Sequence, residues 1–327
     1  MPVDEGPVGP GARGLTAPAA CPACGRGTLE PWIEVPGGEP SDARRYGLRR
    51  CASCASAVTA GEAPGAELYE SGVYAPRAPR LARLIAAIQG LAMRQPLALL
   101  RRAGLGTGAY VLDAGAGRGR FVAALRAAGF DARGIDASER SVTLADAAGA
   151  PVARASIGEH DESGLDAVVL WHVLEHLDDP LAALERVRSW LRPGGVVLIG
   201  VPNVASLQAR IAGPGWLHFD APRHRVHLTP DGLRTLLERS GLVPGRLHQM
   251  VWEHNAQSMW MALLCRLGMT PGLPFQLLKR NVSAAPRDLA LLALAGPLLA
   301  PPALALELVA AAAGRGGTVA IVATVPS

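Results

Sequence analysis

Tyr110-Val111-Leu112-Asp113-Ala114-Gly115-Ala116-Gly117-Arg118-Gly119 is the stretch that decides the fold of this chain. The apolar run from Tyr110 to Ala114 reads as a buried strand. The glycines behind it allow a tight turn and a close approach of backbone to ligand. Arg118 to Ala128 then reads as a helix stopped by Gly129. The glycine spacing is G-x-G-x-G. A dinucleotide fingerprint needs G-x-G-x-x-G, and its third glycine would fall at Arg120, which speaks against NAD or FAD. A second strand, Ala132 to Asp136, ends on a carboxylate 23 residues after Asp113. A carboxylate at that strand end can accept hydrogen bonds from both hydroxyls of a bound ribose.

Beyond this stretch, strands and helices keep alternating. Glu139 to Ala148 reads as a helix and Val152 to Ala155 as a short third strand. Ala167 to Trp171 is a fourth strand, and Pro180 to Leu191 a helix ended by Pro193-Gly194-Gly195. Val196 to Val201 is a fifth strand. Asp231 to Ser240 is a helix opened by Thr229-Pro230, and Thr318 to Val325 is a closing β run. This order predicts an α/β, doubly wound, mostly parallel sheet. Its core is expected over residues 108–255 plus 317–327.

Several motifs share one resemblance. They are Asp113-x-Gly115-x-Gly117-x-Gly119, then Asp136, then Trp171-His172-Val173-Leu174-Glu175-His176-Leu177. Leu191-Arg192-Pro193-Gly194-Gly195 and Val201-Pro202-Asn203 follow. In order and spacing they resemble class I S-adenosylmethionine-dependent methyltransferases. The resemblance implies a seven-stranded, Rossmann-like core. It implies a cofactor site in which Gly115, Gly117 and Gly119 lie against the methionine part and Asp136 holds the ribose. Ser156 and Ile157 would flank the adenine, where many such enzymes carry an acidic residue and this chain has Ala155-Ser156-Ile157. Asp113, Trp171 and His172 complete the expected cofactor set. His172 leaves the fourth strand beside the expected sulfonium, so it is a candidate base for a hydroxyl acceptor. Glu175 and His176 read either as partners in chemistry or as stabilisers of the following turn. The resembling family needs no metal at this trio.

The loop from Trp216 to Pro230 concentrates polar and aromatic side chains in an otherwise apolar chain. It resembles a W-x-x-x-D-x-P-R-H-x-x-H segment of methyltransferases of glycan and lipid-linked sugar pathways. Arg223 could clamp a phosphate or carboxylate of the acceptor, with Trp216 and His227 beside it, and His224 or Asp220 could act as base. A salt-bridged loop packed on the core is the alternative. The acceptor expected from this resemblance is a small or lipid-linked molecule with a sugar hydroxyl.

Ahead of the core, Cys21-Pro22-Ala23-Cys24 and Cys51-Ala52-Ser53-Cys54 form two C-x-x-C units separated by 26 residues. Four thiolates in two such units suit a closed, structural zinc site, so residues 21–60 are expected to be a zinc ribbon. Similar ribbons precede the core in some methyltransferases acting on nucleotide-linked sugars. Residues 1–20 are rich in glycine, proline and alanine and carry no apolar signal segment. They read as a disordered tail, and the expected location is cytoplasmic. Residues 61–107 read as a helical linker, with Glu67-Leu68-Tyr69 and Tyr74 as a lid over the cofactor.

The 327 residues include 49% hydrophobic and only 18% charged, so a sizeable core is expected. The net charge of +4 is spread along the chain without basic runs, which argues against a nucleic-acid partner. Residues 256–316 form an apolar insertion. Leu289 to Leu306 is an uncharged run of 18 residues, and Gly296, Pro297, Pro301 and Pro302 predict that it breaks into two short helices. These would form a hydrophobic lid, a shallow membrane contact, or a core or homodimer surface. Two rivals come from other classes. One is a non-catalytic cofactor-binding module with a ribbon. The other is an NAD(P)-dependent sugar enzyme, disfavoured because Lys279 is the only lysine and no Tyr-x-x-x-Lys pair exists.

Overall fold

The computed structural model describes residues 20–39, 42–62, 65, 90–278 and 282–327. Residues 1–19 of the expected tail and the Glu67 to Tyr74 segment lie outside the described residues. Strands β1 (Leu29–Pro36), β2 (Arg45–Cys51) and β3 (Ala57–Thr59) form an antiparallel sheet. The cysteines sit in the turn before β1 and at the end of β2.

Helix α1 (Arg94–Arg102) leads into β4 (Tyr110–Ala114), α2 (Arg120–Ala127), β5 (Asp131–Asp136), α3 (Glu139–Ala147) and β6 (Val152–Arg154). Then come β7 (Leu165–Trp171), α4 (Pro180–Trp190), β8 (Leu191–Pro202), α5 (Leu207–Ala212), β9 (Val226–His227), α6 (Pro230–Arg239) and β10 (Val243–His248). Helices α7 (Asn255–Arg266), α8 (Leu273–Leu278) and α9 (Pro286–Ala312) precede β11 (Thr318–Thr324). Helix starts follow their caps. Ser138 accepts from Ser141 N, Asp179 from Ala182 N ahead of Pro180, and Thr229 from Gly232 N ahead of Pro230.

The large sheet runs β10-β11-β8-β7-β4-β5-β6. The strands β6, β5, β4, β7 and β8 are parallel, and β11 is antiparallel to both neighbours. This is the seven-stranded, Rossmann-like methyltransferase fold. Leu112, Val168, Leu170, Leu184 and Trp190 fill one side and Val111, Val122, Leu125, Val169 and Leu198 the other, all essentially buried. Asp113 pairs in register with Gly134 of β5 and Val169 of β7, so the carboxyl ends of these strands open level into one crevice.

Four features differ from the sequence reading. β8 begins at Leu191, through Pro193-Gly194-Gly195 instead of after it, because Leu191 pairs with Leu165 and a register shift absorbs the extra residues. β10 is an edge strand of mixed exposure, Val-Pro-Gly-Arg-Leu-His, with no apolar run to announce it. β9 leaves the core and joins the small sheet beside β3. Finally, α9 is one helix of 27 residues that runs through Pro297, Pro301 and Pro302, not two short ones. Each proline removes one donor, but the helix is largely exposed, so water can serve the orphaned carbonyls. Trp260 Nε1 donates to Gly296 O at 2.7 Å at the level of the prolines. By length and composition α9 is apolar enough to cross a membrane. Its buried Glu307 ties it to the core, accepting from Gly317 N at 2.8 Å and Gln208 Nε2 at 2.7 Å.

Candidate functional site

The glycine turn after β4 holds Gly115, Gly117 and Gly119 at φ +88°, +54° and +70°, values that disfavour any side chain. Their surroundings separate their roles. A Cβ on Gly115 would meet Val173 at 2.4 Å, and one on Gly119 would meet Ala150 at 2.4 Å, so both are needed for packing. A Cβ on Gly117 would meet nothing within 4 Å, so this glycine faces open space. Asp136 ties the turn to the next helix, its Oδ2 accepting from Gly117 N at 2.8 Å and its Oδ1 from Ser138 N at 2.9 Å. Asp113 is buried beneath. Burial, and then the charge of Asp136, push its carboxyl up to about 7.

Ser156 lies after β6, where its hydroxyl donates to Glu159 Oε2 at 2.7 Å. Glu159 lies three positions later, engaged by Ser156. Ile157 is partly buried against the core. Asp136→Ala should weaken S-adenosylhomocysteine binding by about 1–3 kcal/mol, the scale for bonds to a charged group. Isothermal calorimetry reads this directly, and unchanged affinity would remove Asp136 from the nucleoside site.

β7 ends on Trp171 and His172. Trp171 Nε1 donates to Glu253 Oε2 at 2.9 Å. His172 has φ +57°, a strained backbone that a non-glycine residue keeps only when its surroundings impose it. Its Nδ1 lies 3.0 Å from Glu175 Oε1, while its Nε2 is buried and finds no hydrogen-bond partner among the described residues. Burial alone would depress His172, but the hydrogen bond and charge of Glu175 outweigh it and the net direction is up. His254 packs edge-on to His172, with ring centres 4.3 Å apart. Glu253 and His254 were missed by the sequence reading. They follow a strand that carried no signal.

A cavity of about 880 Å³ opens from His172. One wall is the loop from Pro214 to His224, a second is the β1–β2 turn around Gly38 and Glu39, and a third comes from Thr270 to Leu278 and Val282 to Asp288 of the insertion. Trp216, Asp220, Arg223 and His224 all border it. Arg223, 3% exposed, donates from Nε to Asp220 Oδ2 at 2.9 Å, and through its other nitrogens to Asp220 Oδ1 and Glu39 Oε1. Its charge therefore faces two carboxylates of the protein. His224 Nδ1 donates to His218 O at 2.7 Å, and burial holds this imidazole well below its ordinary value. His227 is not in the cavity wall. It sits at the seam with the small sheet, where its Nε2 lies 2.9 Å from Thr59 Oγ1 and burial drives it down to about 3.

The four thiols Cys21, Cys24, Cys51 and Cys54 converge. Cys21 to Cys54 and Cys24 to Cys51 are each 3.7 Å between Sγ atoms. A tetrahedral zinc with bonds of about 2.3 Å sets sulfurs about 3.8 Å apart, so the residues fit such an ion. Gly27 is required here, because a Cβ would meet Cys51 Sγ at 2.9 Å.

Residues 86–244 match a family model described as a methyltransferase domain. The chain is 31% identical over 166 residues to a ubiquinone biosynthesis O-methyltransferase of Dinoroseobacter shibae, covering 46% of this chain and 66% of that one. A protein of the same name from Cereibacter sphaeroides is 29% identical over 160 residues, covering 45% and 65%. The chain thus spans a little under two thirds of the length of these curated relatives. Among solved structures, an S-adenosylmethionine-dependent methyltransferase of Archaeoglobus fulgidus aligns with a TM-score of 0.46 at 18% identity, covering 71% and 94%. These two relatives are named for ubiquinone biosynthesis, not for the glycan or lipid-linked sugar pathways that the Trp216 to Pro230 segment suggested. Strand order and glycine turn agree with the family-model match: the core of this chain is similar to class I S-adenosylmethionine-dependent methyltransferase domains.

Proposed function

We propose that the protein transfers a methyl group from S-adenosylmethionine to a hydroxyl of a small acceptor with an apolar portion. The observation that carries this reading is the buried Nε2 of His172, unpartnered in the cavity wall while Glu175 holds Nδ1. That leaves the lone pair of Nε2 available to a hydroxyl proton. As the acceptor oxygen bonds to the methyl carbon, the carbon–sulfur bond breaks, the proton passes to Nε2, and S-adenosylhomocysteine leaves. The cavity supports an acceptor of mixed character. Its lining combines His172, Glu175, His176 and His224 with Leu217, Phe275, Leu278 and Val282. An oxygen acceptor also fits the relatives' names.

The apolar portion would leave the cavity along the insertion. There Leu294 and Leu298 of α9 are 74% and 76% exposed. This face supports peripheral contact with the inner surface of a membrane, and a lipid-anchored acceptor, for an otherwise cytoplasmic protein. A homodimer through the same face is the second reading, and sedimentation in detergent-free buffer separates the two.

The test is label transfer from methyl-tritiated S-adenosylmethionine to a lipid extract, followed by solvent partition. Label should enter the organic phase in a bond stable to mild base. His172→Gln should lower kcat by about 10²–10⁴ fold, the scale of a general base, with affinity for S-adenosylhomocysteine unchanged. A kcat equal to that of the unaltered protein would remove His172 as the base, and label confined to water-soluble products would remove the apolar acceptor.

A further inference from the structure

We infer that Glu175, His176 and His224 form a divalent-metal site in the wall of the acceptor cavity. Each offers one ligand atom, and the three atoms lie within 4.8 Å of one another. Two come from the single turn after β7 and the third from the loop after β8, so the site bridges the cofactor-side crevice and the acceptor loop. All three border the cavity.

The hydrogen bonds around the trio fix which atoms can ligate. His176 Nδ1 lies 3.2 Å from Arg223 O and His224 Nδ1 2.7 Å from His218 O. A carbonyl only accepts, so both Nδ1 atoms carry hydrogen, and in the neutral imidazoles the lone pair lies on Nε2. Glu175 Oε1 is held by His172 Nδ1, and its Oε2 is buried with no hydrogen-bond partner among the described residues. Glu175 is 2% exposed. Leaving a carboxylate oxygen unpaired in a protein interior is costly, and a cation at this point relieves it. Histidine ligands backed by carbonyls through the far ring nitrogen, and a carboxylate ligand itself hydrogen-bonded, are the outer arrangement that metal sites require.

Two imidazoles and one carboxylate with open positions suit zinc, manganese, iron(II) or cobalt, unlike the soft four-thiolate set of the ribbon. Closing the three atoms onto one ion needs side-chain movement of about 1 Å at metal–ligand distances of about 2.1 Å. Asp220 Oδ2, 3.8 Å from His224 Nε2, adds negative charge just outside the set. The inference rests on the reading of this cavity as the acceptor site. There the ion holds an acceptor oxygen one hydrogen-bonded residue away from His172 and makes its proton easier to remove.

The experiment uses the full chain with its ribbon metal in place and cobalt(II) alone as probe, without acceptor or methyl donor. The unaltered protein should take up one ion more than the four cysteines account for, with the weak visible bands of nitrogen and oxygen ligation and no added thiolate absorption. His224→Ala and Glu175→Gln should each lose that ion while keeping the ribbon metal. His172→Gln, which keeps a donor towards Glu175 Oε1, should retain it. No extra ion in the unaltered protein, or an extra ion that survives both substitutions, overturns the site. Calorimetry with S-adenosylhomocysteine on the same samples keeps the two readings apart. An extra ion with no nucleoside binding would defeat the methyltransferase reading and leave the metal site standing.

Discussion

Cys51→Ser should release the ribbon metal and unfold the small sheet. Structural zinc in comparable peptides binds with an apparent free energy of about 10–16 kcal/mol at neutral pH, and that energy is folding energy. The consequence reaches the cavity beside His172. β3 pairs with β9, Thr59 Oγ1 donates to His224 O at 2.6 Å, and Ser56 Oγ accepts from Thr229 N at 3.1 Å. Arg239 of α6 clamps the first knuckle through Pro22 O and Ala23 O, both at 2.9 Å. The variant should therefore lose turnover and gain amide exchange across residues 224–229. Its affinity for S-adenosylhomocysteine should persist, because the Gly117 and Asp136 contacts touch none of the ribbon. Metal analysis and hydrogen exchange check this. A metal-free unaltered protein, or a Cys51→Ser protein that keeps its ion, would end the zinc reading.

Arg223→Met should destabilise the protein by about 3–5 kcal/mol, because it leaves the carboxylates of Glu39 and Asp220 facing each other without their cation. Glu39 and Arg223 are 9% and 3% exposed at the side chain, so water can do little for them. A chemical denaturation series measures the loss. The double change Arg223→Met with Glu39→Gln should recover part of it, since one of the stranded charges is then gone. Equal stability of the Arg223→Met variant and the unaltered protein would show that the network contributes nothing.

Much of the fold was legible because its signals are local. The strand, glycine turn and helix from Tyr110 to Ala127, the carboxylate at Asp136, and the paired cysteines each depend on neighbours in sequence. What escaped depends on distant partners. β9 is two residues long and joins β3, which lies some 170 positions earlier, so no local pattern marks it. β10 lies at a sheet edge, where an apolar run is not needed. α9 defied its prolines because propensity is a weak prior once packing and solvent serve the backbone. At the site, the clustering of His172, His218 and His254 could not be read from spacing, since their rings meet only when β7, the loop from Pro214 to His224 and the start of α7 come together. Arg223 shows the limit of residue type as a guide. Its guanidinium is engaged by Asp220 and Glu39, and Glu39 comes from a turn far away in sequence.

The place of β11 has a consequence for how the protein is made. It lies between β8 and β10, yet it is translated after both. While the ribosome is still producing α9, the edge of β8 stands unpaired, with buried Val197, Leu198 and Ile199 awaiting their cover. An uncovered strand edge of this kind invites pairing with another nascent chain. Chaperone demand during synthesis should therefore peak just before residues 318–324 emerge, and fall once that strand slides home.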